Sequence, residues 1–206
     1  MGTDINGYIE IRRRPSGPDG GGWTTAVDLF DLYRGRDYDS FACLFGVRNY
    51  AGFRPVAAGR GLPPDAAEQT RKSFDEFEDD ALWPTWIGGD EIRRIDWSEP
   101  AEHADTRLHR YERRAGGQWT FESKAAWSRE AFEVQGIPET RPGTPSEPYP
   151  DGTVWTKGDV QFRAVRMTRR DAVPAAGEWT PVWEVMAILG RLHGDENCRL
   201  VVWFDQ

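Results

Sequence analysis

Thr180–Phe204, TPVWEVMAILGRLHGDENCRLVVWF, carries the two strongest secondary-structure signals of the chain back to back. Pro181 suits the first position of a helix, where its missing N–H is not needed, and Thr180 before it is a natural N-cap. The apolar spacing from Val182 to Leu192 then predicts a helix that ends at Gly194. Arg199–Phe204 follows as an unbroken apolar run, which predicts a strand buried on both faces and central in its sheet. A helix returning onto a central strand gives the class α+β.

The remaining segments supply partners for that strand. Ile5–Ile11 alternates, and Trp23–Leu29 returns after RRPSGPDGGG (13–22), which predicts an N-terminal β-hairpin. Tyr38, Phe41, Ala42, Leu44 and Phe45 recur at helical spacing within Arg36–Val47, behind Asp37 or Asp39 as N-cap. A second helix is expected from Pro64 to Phe77, with Asp65 in its first turn and the acidic cluster up to Asp80 closing it. A short helix is expected around Gly89–Arg94. Period two returns at Arg107–Arg113 and Gln118–Ala126, joined through AGG as a second hairpin, and again at Asp159–Thr168. Ile137–Thr153 is rich in Pro and Gly and reads as an irregular excursion within one domain spanning 1–206. The expectation is a single mixed or antiparallel sheet, its C-terminal strand central, with two to three helices packed mainly on one face.

Composition narrows the function. The chain has 206 residues, ten Trp, ten Phe and six Tyr, and a formal net charge of -8. Mean hydropathy is low, at -0.68, so the aromatics must carry the core, each burying on the order of 150–250 Å². The negative balance argues against extended nucleic-acid binding, which needs clustered cations, but leaves room for a local basic site. Nearly all the cations are Arg, with Lys only at 72, 124 and 157; convergent arginines would suit bidentate anion contacts. Cys43 and Cys198 lack metal spacing and read as reduced, partly buried thiols. The polar opening and the lack of a long apolar run point to a cytoplasmic protein with no membrane association. No metal, cofactor or nucleotide-hydrolysis signature occurs, and the three His are scattered.

Several segments carry a resemblance. MGTDIN (1–6), RDYDSFACLFGVRN (36–49), RGLP (60–63), DALWPTW (80–86), IDW (95–97) and RLVVWFDQ (199–206) resemble, in order, the landmarks of a family of uncharacterised bacteriophage and prophage proteins. That family opens MG-x-DIH, has an RGLP loop and a D-G-H-S-x-S-W segment, and closes R-[IL]-V-[FV]-W-F-D. Asn6 and Leu82 stand where the family has His. Neither can replace imidazole in metal ligation or proton transfer, so the resemblance implies a chain without a histidine-based activity, for which binding remains open.

The loop between Arg48 and Pro63 is the leading recognition candidate. Gly59 and Gly61 allow a sharply bent backbone that displays Arg60, beside the expected helix start at Pro64 as an anion seat. With Asp4, Arg48 and Trp86 it would line one cleft; the resemblance adds Asn6 and Asp80 to this ligand-binding set. The leading function is a phage-associated accessory protein, acting in counter-defence, that binds a small anionic ligand, nucleotide derivatives included. One alternative is an acidic, Trp-rich module binding a host or phage protein or associated with the virion. The other is a hydrolase using Asp4, Glu10 and Asp80.

Overall fold

The computed structural model describes residues 2–13, 21–77, 80–125, 128–136 and 148–205. Its strands form two separate four-stranded antiparallel sheets. The chain divides into two compact units, the first comprising Met1–Arg48, Pro55–Trp97 and Val173–Gln206, the second Asn49–Arg54 and Ser98–Ala172. The expected single sheet with two to three helices is therefore incorrect: there are two sheets and, among the described residues, six α-helices.

The reason lies at the edges of β8 (Cys198–Asp205). It pairs with β1 (Asp4–Arg12) on one side and β3 (Leu82–Gly88) on the other, so neither edge is open to a second hairpin. β1 also pairs with β2 (Trp23–Asp28). In the second unit β4 (Leu108–Arg113) lies between β5 (Trp119–Ala125) and β7 (Val160–Arg163), which carries β6 (Val154–Lys157) at the far edge. Every backbone donor of β4 can thus be matched without reaching the first sheet. The turn at 14–20 and most of the excursion, 137–147, lie outside the described residues.

In the first unit α1 (Tyr38–Phe45) and α6 (Thr180–His193) cover one sheet face. Asp37 caps α1 through Asp39 N–H, and Gly46 ends it at φ 77°. Phe41 and Phe45 meet Phe204 edge-on, and Trp179, fully buried, stacks on Tyr33 and donates its indole N–H to Ser40. Cys43 and Cys198 are buried and form no disulfide, and burial pushes the Cys198 thiol up to about 12. The opposite face is covered by α2 (Glu68–Glu76), whose Phe74 packs on Trp203, as does Phe77 just beyond it.

Higher on that face Glu10 and Arg199 form directly opposed neighbours of β1 and β8, both buried. Glu10 accepts from Arg199 Nε at 2.8 Å and from Ala67 N–H at 2.8 Å. Arg199 Nη1 reaches Asp65 at 2.8 Å, and the guanidinium lies 3.8 Å over Trp23. This contact corrects the start of α2. It begins at Glu68 rather than Pro64, because Asp65 turns aside to Arg199 and the Trp23 indole, and the N–H at Ala67 is taken by Glu10. Glu10→Ala would leave a buried guanidinium with one partly exposed partner, and should lower stability by about 3–5 kcal/mol in urea unfolding. The double variant Glu10→Ala/Arg199→Met should recover part of that loss.

Candidate functional site

The six residues singled out from sequence all fall in the first unit and do not converge. Asp4 forms a two-pronged ion pair with Arg36 at the sheet surface. Asn6, two residues on, reaches Asp205 at 3.4 Å. Arg48, at φ 54°, donates to Thr3 Oγ1 at 3.0 Å and lies 5.9 Å over Tyr38. Asp80 is exposed in the turn before β3. Arg60 and Trp86 do meet, at 5.0 Å, but Arg60 donates twice to Glu91, both at 2.8 Å, and once to Val56 O. That pairing raises the Arg60 guanidinium and lowers the Glu91 carboxyl.

Trp86 lies at the level of Tyr8, about 13 Å along the strand direction from Asp4 and two strands across. Tyr8, bonded to Ser73, and Trp203 lie between the two places beneath α2. Gly59 and Gly61 do bend the loop at φ 65° and 75°. The result is an arginine clamped onto its own carboxylate rather than offered to a guest. Asp4 and Glu10 sit about 20 Å apart on β1, beyond the separation of paired hydrolytic carboxylates, ~5–9.5 Å.

A cleft of about 290 Å³ lies beside Trp179, lined by Asp37, Val173, Pro174, Gly177, Glu178 and Trp179. Two carboxylates and no cation line it, so it repels an anion. Tyr33 nearby is pushed up to about 12, chiefly by burial.

The second unit carries the arrangement that sequence reading did not single out. One face of its sheet is sealed by α4 (Arg129–Gln135), where Leu108 and Phe162 pack with Ala131, Val134, Tyr149 and Trp155. Ser128 caps α4 and Gly136 ends it at φ 70°, a signature present in the sequence. The opposite face collects His109, Tyr111 and Arg113 from β4, Trp119, Phe121 and Lys124 from β5, and Gln161 and Arg163 from β7. An uncovered antiparallel face is ordinarily polar. This one exposes Phe121 at 48 %, with His109 and Tyr111 edge-on to it, each at 5.7 Å. The Arg163 guanidinium lies 4.0 Å over Tyr111, and that of Arg113 4.7 Å over Trp119.

Asp105 fixes one end of this face. Its carboxylate, with 0 % side-chain exposure, pairs with Arg107 at 2.7 Å and lies 3.5 Å from Lys124 and 3.7 Å from His109 Nε2. Burial alone would raise this carboxyl; the imidazole of His109 and the guanidinium of Arg107 outweigh it and hold it well below the usual range. His109 Nε2 is buried and makes no hydrogen bond among the described residues. Arg163 donates from Nε to Gln161, and no carboxylate among the described residues pairs with it. Among the described residues the one carboxylate paired with Arg113 is Asp159, 3.7 Å away and 78 % exposed, a pair of little strength. The face therefore bears cations in excess of carboxylates on a chain whose net charge is -8.

Among the described residues no group of three His, Cys, Asp or Glu could hold a metal ion, and no helix is long and apolar enough to cross a membrane. Comparison with known proteins returns nothing: no family model, curated protein or solved structure matches this chain.

A carboxyl depressed in the fold contributes stability that is complete above its unfolded pKa, about 4, and is lost as pH falls through its lower folded value. The melting temperature should therefore drop between about pH 5 and pH 3, and Asp105→Asn should be less stable at neutral pH with a shallower drop over that range. Thermal unfolding across pH checks this; parallel acid limbs for the two proteins would contradict it.

Proposed function

We propose that this chain is a binding protein, an accessory protein of the phage type its sequence resembles, that takes a small anionic ligand carrying a flat ring, as a nucleotide does. The proposed seat is the open sheet face of the second unit rather than the Arg60 loop. One observation carries the reading: the Arg163 guanidinium rests on the Tyr111 ring, and among the described residues neither terminal nitrogen has a hydrogen-bond partner. A guanidinium held flat by a ring has lost little freedom when it meets a phosphate, and it can engage two oxygens at once. Phe121 next to it offers a ring surface for a base. Arg60 would first have to give up a bidentate carboxylate.

Calorimetry of the full chain against nucleoside mono- and triphosphates should find a ligand with Kd below about 100 μM, a binding free energy near -5.5 kcal/mol. Arg163→Ala should weaken it at least about tenfold, the loss of one charge-assisted contact, and Arg60→Ala should leave it within about twofold. Lack of binding across the panel, or abolition by Arg60→Ala with Arg163→Ala silent, would overturn the reading.

A further inference from the structure

The long helix α6 is apolar on two faces. Val182, Met186 and Gly190, four residues apart, form the buried side that covers the first sheet. A surface helix ordinarily turns polar residues outward, and one that is apolar all round is covered all round. The outward side of α6 reads Pro181, Val185, Ile188 and Leu192, with Ile188 47 % and Leu192 71 % exposed. Their spacing of four, three and four residues is that of a coiled-coil seam, the pattern by which one helix receives another. Other exposed apolar groups stand differently: Phe30 lies under the Arg34 guanidinium at 4.3 Å, and Trp83 meets Phe204 edge-on. Glu184 and Arg191 each precede a seam residue by one position, so both flank the seam on the same side. Among the described residues neither side chain has an ion pair or a hydrogen bond.

We propose that this seam binds the same seam of a second copy of the chain, with the two helices antiparallel. Charge decides both the occupant and the direction. With the two-fold axis between Ala187 and Ile188, Glu184 stands opposite the partner's Arg191, and Arg191 opposite the partner's Glu184, so both pairs form together. The same register seats Leu192 between the partner's Pro181 and Val185 and sets the two Ile188 side chains against each other at the axis. The two charges are about 10 Å apart along the helix, so the ion pairs bracket the Ile188 contact. A parallel pair would instead set Glu184 against the partner's Leu189 and leave its charge unmatched. A seam on one helix of 14 residues buries less than the roughly 1,600 Å² of a standard interface, so the dimer is a weak and reversible one. The proposal is independent of the anionic-ligand reading, whose residues lie in the second unit.

Sedimentation equilibrium of the full chain, without ligand, tests this. The chain should follow a monomer–dimer equilibrium with Kd between about 1 and 100 μM. Ile188→Glu, at an exposed position, should weaken the dimer at least about tenfold while leaving the melting temperature of the dilute chain unchanged. Glu184→Arg alone and Arg191→Glu alone should each weaken it about fivefold or more, because each puts like charges opposite one another twice. The double variant Glu184→Arg/Arg191→Glu should return to within about twofold of the unsubstituted chain. A monomer at every concentration up to about 300 μM, well above the Kd range of so small an interface, would overturn the proposal and leave the seam to a helix of another protein. A dimer untouched by Ile188→Glu would put the interface elsewhere and overturn it as well. Single swaps that weaken the dimer with no recovery in the double variant would overturn the antiparallel pairing.

Discussion

A carboxylate taken out of water costs several kcal/mol unless cations and hydrogen-bond donors replace the solvent, and each unit of this protein is organised around one such group. In the first unit it is Glu10, opposed to Arg199 across the two interior strands and closed over by Ala67 and Asp65. In the second it is Asp105, which holds Arg107 and draws Lys124 and His109 to the same end of the sheet. Both bind segments remote in sequence, and both require an arginine to be placed for structural reasons. Much of the arginine content is accounted for in this way. Arg36, Arg54, Arg60, Arg110 and Arg169 are all held by carboxylates as well.

That economy of charge is what makes Arg163 informative. A guanidinium paired with a carboxylate is already satisfied, and an incoming anion gains only the difference between the two partners. Among the described residues Arg163 has an aromatic ring beneath it and a single amide as acceptor, so a phosphate would meet an unpaired charge in a fixed orientation. The Asp105 cluster raises the local cation density without consuming Arg163.

Elements with a clean period were legible in the sequence. The alternation over 5–11 lies within β1, the run 199–204 within β8, and the segment from Thr180 to Leu192 within α6. β3 was not, because its signals contradict a strand. Pro84 removes a ladder donor, and Trp83 adopts φ 49° at the point where the register with β8 shifts. Such a strand is tolerated only at a sheet edge, where it lies. With β3 unread, one edge of β8 has no partner, and nothing in the sequence separates the strands into two sheets. β6 is four residues before the Gly158 turn, too short for alternation to register.

The site was less legible, for a related reason. Gly59-Arg60-Gly61 reads as a displayed cation because its partner, Glu91, is 31 residues further on in the short helix α3 (Gly89–Arg93). Nothing local announces that pairing. For the second sheet the sequence does show Tyr111, Arg113, Trp119 and Phe121 on strands. Which side of those strands stays open depends on α4, whose Ser128 and Gly136 boundaries passed unread.

The most direct test of the account is to locate the bound ligand by backbone amide chemical shifts as a nucleoside triphosphate is titrated into the isotopically labelled full chain. The account predicts shifts concentrated on His109–Arg113, Trp119–Lys124 and Gln161–Arg163. Shifts concentrated instead around Arg60, Trp86 and Glu91, with the second sheet unperturbed, would contradict it.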